Sequence, residues 1–370
     1  MTPISVAEFM ASLFADVPLQ AYRVLDPGAG SGALSRAFLD RVAKDSARPS
    51  ATEVTAFELD MSCHPLLESM FVQFASTLGV RWRVVGGDFI EHAVKQILLG
   101  SGGYTHAILN PPYKKINSGS AHRLALREVG IETVNLYSAF VALAVNLLEP
   151  GGQLVAIIPR SFCNGPYYRP FRRFVLDRAA IRRLHLFGSR TKAFKSDDVL
   201  QENIIIVLER GAKQGAVTVS NSTDDSFADL TTHTHPFDRI VLPSDPEYFI
   251  HVPTSTGRHA IELAPAVRYS LADLGLQIST GPVVDFRMRD HTRDMPEQGS
   301  VPLLYPIHFT GHVTEWPKIG IKKPNAIQRN RDTERWLYQS GFYCVVRRFS
   351  SKEEKRRIVA SVVDPSSFPG

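Results

Sequence analysis

Four short apolar runs each end on a carboxylate or a carboxamide. Residues 22–25 stop at Asp26, 54–57 at Glu58, 82–85 at Gly86-Gly87-Asp88, and 105–109 at Asn110. Runs of this length, rich in branched and aromatic side chains, read as strands. Helical stretches lie between and after them, notably 33–42 and 137–148. Further strands are expected at 153–158, after the Gly151-Gly152 turn, and at 181–187 and 203–208. Strands alternating with helices predict an α/β fold, a doubly wound, mostly parallel sheet. Ligands of such sheets sit beyond the carboxyl ends of the strands. Asp26, Glu58, Asp88 and Asn110 are therefore expected to share one site.

The first strand runs into Leu25-Asp26-Pro27-Gly28-Ala29-Gly30-Ser31-Gly32. Glycines are needed where the backbone takes positive φ or where a ligand comes close. The spacing is GxGxG, whereas dinucleotide binders carry GxGxxG, which disfavours a dinucleotide oxidoreductase. Asp26, just before the turn, is placed to hold the ammonium of a bound amino acid. Glu58 ends the next strand, where a carboxylate accepts from a ribose diol. Asp88 is expected to accept from an adenine amino group, with the ring of Phe89 packed on the base. An amino acid, a ribose and an adenine together describe S-adenosylmethionine. Gly28, Ala29 and Gly30 complete the expected cofactor set, with Asn110 at its edge.

Asn110-Pro111-Pro112-Tyr113 follows the fourth strand. With the glycine motif before it, it resembles amino-group methyltransferases of the NPPY type, above all the N6-adenine DNA methyltransferases of bacterial restriction–modification systems, in their gamma-like motif order. The resemblance covers roughly the first two hundred residues, a span that suits one catalytic domain. It implies that the Asn110 side-chain oxygen and the Pro111 carbonyl accept from the target amine, and that Pro112 helps to hold the loop rigid. Tyr113 stacks on a base flipped out of the duplex. Phe194 matches the second aromatic that closes this stack, and its neighbours Lys192 and Lys195 are placed to touch phosphates. Thr2-Pro3 matches the threonine–proline pair that opens a helix beside the cofactor, with Thr2 at the methionine part. Transfer is implied to be direct and in line, without a metal. Residues 114–134, containing Lys115 and Arg123, read as a mobile loop over the DNA or the cofactor.

The net charge of +5 is unevenly spread. Residues 160–195 hold ten Lys/Arg against one Asp, and residues 318–357 hold twelve against four. Basic segments on an acidic background suggest a polyanion partner. Residues 211–236 are polar and read as irregular surface decoration. The domain boundary is placed near residue 262, giving a catalytic domain over 1–262 and a smaller α+β domain over 263–370. By the resemblance, the second is the DNA target-recognition domain, in truncated form. Arg287, Arg289, Lys322, Lys323, Arg329, Arg347 and Arg348 are its candidate DNA contacts. The run from Ser351 to Arg357 opens with a capping box, Ser351 to Glu354, and reads as an exposed helix.

Cys63, Cys163 and Cys344 lie far apart, which argues against a disulfide framework or a zinc site. No apolar run is long enough to span a bilayer, and the start does not read as a signal peptide. A reduced cytoplasmic compartment is expected, with the chain acting as a monomer on double-stranded DNA, beside a cognate restriction endonuclease or further subunit. Two other readings compete: an NPPY-type methyltransferase of RNA amino groups or protein glutamine, and a silent DNA-binding subunit that keeps the fold.

Overall fold

The computed structural model describes all residues except 1, 18, 46–47, 189–201, 244, 258–268, 270, 272, 351–353 and 369–370. Its contacts divide the chain into two units, Met1–His259 and Ala260–Gly370.

The first unit is built on nine strands: β1 (Ala21–Pro27), β2 (Ala51–Glu58), β3 (Arg81–Gly86), β4 (Tyr104–Leu109), β5 (Leu148–Pro159), β6 (Ala179–Phe187), β7 (Asn203–Arg210), β8 (Val217–Ser222) and β9 (Thr231–His235). They form one sheet in the order β3-β2-β1-β4-β5-β7-β6-β8-β9. The strands from β3 to β5 are parallel, and β7 lies antiparallel between β5 and β6. The helices are α1 (Ile4–Ser12), α2 (Ala33–Lys44), α3 (His64–Leu78), α4 (Phe89–Leu98), α5 (Ala121–Glu128), α6 (Leu136–Leu147) and α7 (Arg169–Arg178).

Successive strand side chains point to opposite faces, and here both faces are covered. Val24, Ile108, Val155, Ile157, Ile205 and Val207 join the helices α1 to α3 in one core. Leu25, Leu109, Leu154, Ile158, Ile204 and Ile206 join α4, α6 and α7 in the other. Two-sided burial is why these strands read as continuous apolar runs rather than alternating ones.

Two expectations fail in this unit. Residues 211–236 are not surface decoration, because β8 pairs parallel with β6 and β9 closes the edge. Ser220 and Ser222 are buried, and their hydroxyls meet the two ring nitrogens of His185 at 2.9 and 3.3 Å. Burial holds that imidazole neutral, with its pKa lowered to about 4. A polar strand whose groups are satisfied inside costs little, and composition alone misreads it. Residues 114–134 are likewise folded rather than a bare loop. Ser120 caps α5, Leu126 is fully buried, and Ile116 and Ile131 are buried beside it. Buried Arg123 and exposed Arg127 both pair with Glu132.

The second unit holds two small sheets. One is β10 (Thr292–Arg293), β14 (Ala326–Gln328) and β11 (Ser300–Pro302); the other is β12 (Phe309–Thr310), β13 (Val313–Thr314), β16 (Ala360–Val363) and β15 (Tyr343–Val346). Its centre is polar. The Asn325 carboxamide oxygen accepts from His308 Nε2 at 3.0 Å and from the Lys318 N–H at 2.8 Å, while its nitrogen donates to the Asp294 carbonyl. Among the described residues this unit has strands and 3-10 turns but no α-helix. The expected helix at Ser351 falls partly outside the described residues, and residues 354–357 are irregular. Among the described residues of the chain, no helix is long and apolar enough to cross a membrane.

Candidate active site

The order of the sheet reverses between β1 and β4. From β1 the chain crosses outward to β2, and from β4 it crosses the other way to β5. The crevice beyond such a switch point is where doubly wound sheets bind ligands. The glycine turn leaves β1 there and the NPPY motif leaves β4 there.

Geometry explains the glycines. Gly28, Gly30 and Gly32 have φ of 81°, 56° and 85°. A side chain at Gly32 would meet Met70 Cε at 2.6 Å and Leu67 Cδ1 at 2.7 Å, so this glycine serves helix packing. A Cβ at Gly30 would have nothing within 4 Å, so this glycine leaves open space. The Gly28 and Ala29 N–H groups donate to the Phe57 carbonyl, which ties the turn to β2.

Three acids lie at or just past the ends of β1, β2 and β3. Asp26 is fully buried; its Oδ2 accepts from the Ser35 hydroxyl at 2.6 Å, and its Oδ1 has no hydrogen-bond partner. Burial pushes its pKa up to about 7, the Ser35 hydrogen bonds oppose this, and the charge of Glu58 adds to it. Glu58 Oε2 accepts from the Gly30 N–H and Oε1 from the Asp60 N–H, both at 2.7 Å. Asp88 caps α4, with Oδ1 accepting from the N–H groups of Ile90 and Glu91. The Phe89 ring is buried, edge-on to Phe57 and tilted against Phe140.

Sequence reasoning missed His122. It lies on α5, and its Nε2 is 3.0 Å from Asp88 Oδ2. Nothing in the local sequence points to it, because the pair spans a helix that itself read as loop.

Asn110 is bonded on both sides. Its Nδ2 donates to the Thr2 hydroxyl at 3.0 Å, and its Oδ1 accepts from the Tyr113 hydroxyl at 3.1 Å. Thr2 thus meets the NPPY motif directly. Pro111 is buried and Pro112 exposed. Tyr113 is half-buried, edge-on to Tyr137. Phe194, Lys192 and Lys195 lie outside the described residues.

The sequence profile of the Eco57I restriction-modification methylase family matches residues 75–194. The type II methyltransferase M.BsuBI of Bacillus subtilis is 50% identical over 373 residues, covering 99% of this chain and 74% of that protein. The type II methyltransferase M.PstI of Providencia stuartii is 41% identical, covering 99% of this chain and 73% of that one. The chain belongs to the type II restriction–modification methyltransferases. Solved structures agree on the fold alone. A modification subunit assigned to a type I restriction enzyme of Vibrio vulnificus YJ016 matches with a TM-score of 0.54 at 11% identity, over 71% of this chain and 60% of that one. A chain of another type I restriction–modification system matches at 0.53 and 15% identity, over 72% and 61%.

Methyltransferases of this class I fold take their methyl group from S-adenosylmethionine, and the residues of this type II methyltransferase fit that molecule. The buried Asp26 Oδ1 without a partner suits an ammonium, the space at Gly30 suits close approach, and Glu58 and Asp88 are carboxylates at consecutive strand ends.

The basic segments of the methyltransferase prove less uniform than their charge counts. Between residues 160 and 195, Arg160 pairs with Glu202, Arg169 and Arg172 lie 3.7 Å from Glu247, Arg173 pairs with Asp177, and Arg182 pairs with Glu209. Arg172 is wholly buried and donates to the carbonyls of Glu247, Phe162 and Gly165. Apart from Asp177, these acids come from outside the segment, so a count along the chain overstates the positive surface. In the second unit, Lys323 pairs with Asp285, Arg329 makes a forked pair with Glu334, and Arg347 pairs with Glu354. Arg287 lies over Phe286 and Arg348 over Phe349. Arg289 and Lys322 are exposed and have no ion pair among the described residues, as is Lys115 of the first unit, which has none either.

Proposed function

We propose that this protein transfers a methyl group from S-adenosylmethionine to N6 of an adenine flipped out of double-stranded DNA. The observation that carries this reading is the Asn110 carboxamide at the switch point, with its nitrogen turned to Thr2 and its oxygen serving as an acceptor; the Pro111 carbonyl is proposed as the second acceptor. The lone pair of an aromatic amine is delocalised into its ring. Two acceptors, one on each N–H, favour a pyramidal nitrogen and return the lone pair to it. Bound S-adenosylmethionine supplies an electrophilic methyl group on a sulfonium. With both N–H groups held by those acceptors, the nitrogen would be placed for direct in-line transfer, and the surplus proton would leave to solvent. Asp26, Glu58 and Asp88 hold the cofactor's ammonium, ribose and adenine, and catalysis is chiefly positioning and electrostatics.

Tyr113 now occupies Asn110 Oδ1, the acceptor that the target amine needs. Base entry replaces this bond, and the freed ring stacks on the base. Phe194 is proposed as the second stacking ring. Residues 1–262 act as the catalytic domain and 263–370 as the target-recognition domain. The protein acts as a monomer, and a cognate endonuclease cuts the same sequence where it is unmethylated.

The test is transfer of labelled methyl from S-adenosylmethionine to duplex DNA, RNA and protein, with nucleoside analysis. Label in N6-methyladenine from DNA, lost in Asn110→Ala while the cofactor still binds, supports the reading. Label in RNA, in glutamine or in N4-methylcytosine overturns the substrate, and unchanged turnover in Asn110→Ala overturns the site.

A further inference from the structure

We infer that Thr2 is a positioning residue that lets the bound cofactor set the orientation of the Asn110 carboxamide. The inference rests on the reading of Asn110 Oδ1 as the acceptor for the target amine.

A carboxamide turned by half a rotation exchanges its oxygen for its nitrogen. Turned that way, Asn110 would present N–H groups to an amine that also carries N–H groups, and transfer would lose an acceptor. Two hydroxyls set the present orientation. Tyr113 donates to Oδ1 and Thr2 accepts from Nδ2. The target amine takes the place of Tyr113, so during transfer only Thr2 remains.

A hydroxyl has one proton and two lone pairs. Thr2 alone would accept either orientation, receiving from nitrogen or donating to oxygen. Its choice is made when its proton is committed elsewhere. If Thr2 lies beside the methionine end of the bound cofactor, as proposed, the cofactor's carboxylate would be the acceptor that takes it. A Thr2 hydroxyl donating to that carboxylate has only lone pairs left for Asn110, so Nδ2 faces Thr2 and Oδ1 faces the base. The methyl donor thereby prepares the acceptor side of the site before the base arrives.

The fold holds Thr2 in place for this. Pro3 opens α1, and the Pro3 carbonyl accepts from the Ala7 N–H at 2.9 Å. Val6, Ala7, Met10 and Ala11 are buried in the core. The Ser5 hydroxyl donates to Asp225 Oδ2 at 3.1 Å, which ties the start of α1 to the turn after β8. The motif at the start of the chain and the motif after β4 are thus joined through one hydroxyl, 108 positions apart.

The test compares Thr2→Val, which keeps the shape and removes the hydroxyl, with Thr2→Ser, which keeps the hydroxyl. Single-turnover transfer is measured with cofactor and DNA both saturating, so that weaker cofactor binding does not enter. Thr2→Val is expected to slow transfer by roughly tenfold to a hundredfold, the scale of a misplaced reacting group, and Thr2→Ser to stay near the parent rate. In the Asn110→Asp background both oxygens accept and there is nothing to orient, so Thr2→Val should then change the remaining rate little. Base flipping, read from 2-aminopurine fluorescence, should be enhanced by S-adenosylhomocysteine in the parent and in Thr2→Ser but not in Thr2→Val. Equal slowing by Thr2→Val in the Asn110 and Asn110→Asp backgrounds would overturn the inference, as would a parent rate in Thr2→Val. If Asn110→Ala itself keeps the parent rate, the underlying reading of the site fails instead.

Discussion

His122 Nε2 stands 3.0 Å from Asp88 Oδ2, so a helix that follows the NPPY motif bonds the carboxylate at the end of β3. Both side chains are about one-third exposed, at 34% and 27%, so the contact is open to exchange. The proposed adenine amino group needs that same oxygen, because Oδ1 is committed to capping α4. Removing the imidazole removes a competitor. His122→Ala is expected to tighten cofactor binding by roughly twofold to tenfold, the scale of one net hydrogen bond. Titration calorimetry with S-adenosylhomocysteine checks this; a weaker affinity would mean that the imidazole contacts the cofactor itself.

Asp26 makes cofactor binding depend on pH. Its pKa is raised to about 7, chiefly by burial. An acid raised in this way binds a proton that the unfolded chain would release, so the empty protein loses stability as pH climbs from the ordinary carboxylate range to about 7. An ammonium beside it restores the charged form, so binding expels a proton. Affinity should therefore rise with pH up to about 7 and then level off. Calorimetry just below that pH, in buffers of different ionisation heat, should show proton release, and Asp26→Asn should abolish it. A pH-independent affinity in the parent would refute the assignment of Asp26 to the ammonium.

Gly30 and Gly32 should separate binding from folding. Gly32→Ala forces a methyl group into Met70 and Leu67 at positive φ. It is expected to destabilise the fold by about 1–3 kcal/mol, from left-handed backbone strain and the displacement of those two side-chain ends. Gly30→Ala meets no neighbour, so its stability cost is only about 1 kcal/mol of left-handed strain. Its methyl group projects where the cofactor would lie, and cofactor affinity should fall sharply. Thermal melting and calorimetry on both variants distinguish the two effects; the reverse pattern would reject the cradle.

The exposed, unpaired cations should carry the salt dependence of DNA binding. Arg289→Ala and Lys322→Ala are each expected to reduce the slope of log affinity against log salt by about one. Arg329→Ala should change it less, because Glu334 already holds that guanidinium in a forked pair. Its effect on stability should also be small, since exposed pairs contribute about 0–1 kcal/mol. Equal slopes across all three variants would show that ion pairing does not sort these residues.

The sheet and the two central motifs were legible in the chain because their signals are local. A parallel strand covered on both faces is an apolar run, and Leu25 and Val24 announce it although they feed different cores. A glycine turn and a Pro-Pro loop are set by the φ preferences of their own residues. What followed β7 was not legible. Ser220 and Ser222 look like surface residues until His185, on β6 and 35 and 37 positions earlier in the chain, turns out to satisfy them. The same holds for the basic segments, where Glu202, Glu209 and Glu247 neutralise arginines far from them in sequence.

The sequence by itself determined the alternation of strand and helix, the glycine turn, and the order in which Asp26, Glu58, Asp88 and Asn110 close their strands, since backbone preference and apolar pattern act over a few residues. Tertiary structure alone decided which side chains meet: Thr2 with Asn110, His122 with Asp88, and Arg172 with the Glu247 carbonyl. Hydrogen bonds and ion pairs are settled by distance in space, and that distance exists only once the sheet has set its order and the helices have packed on its faces.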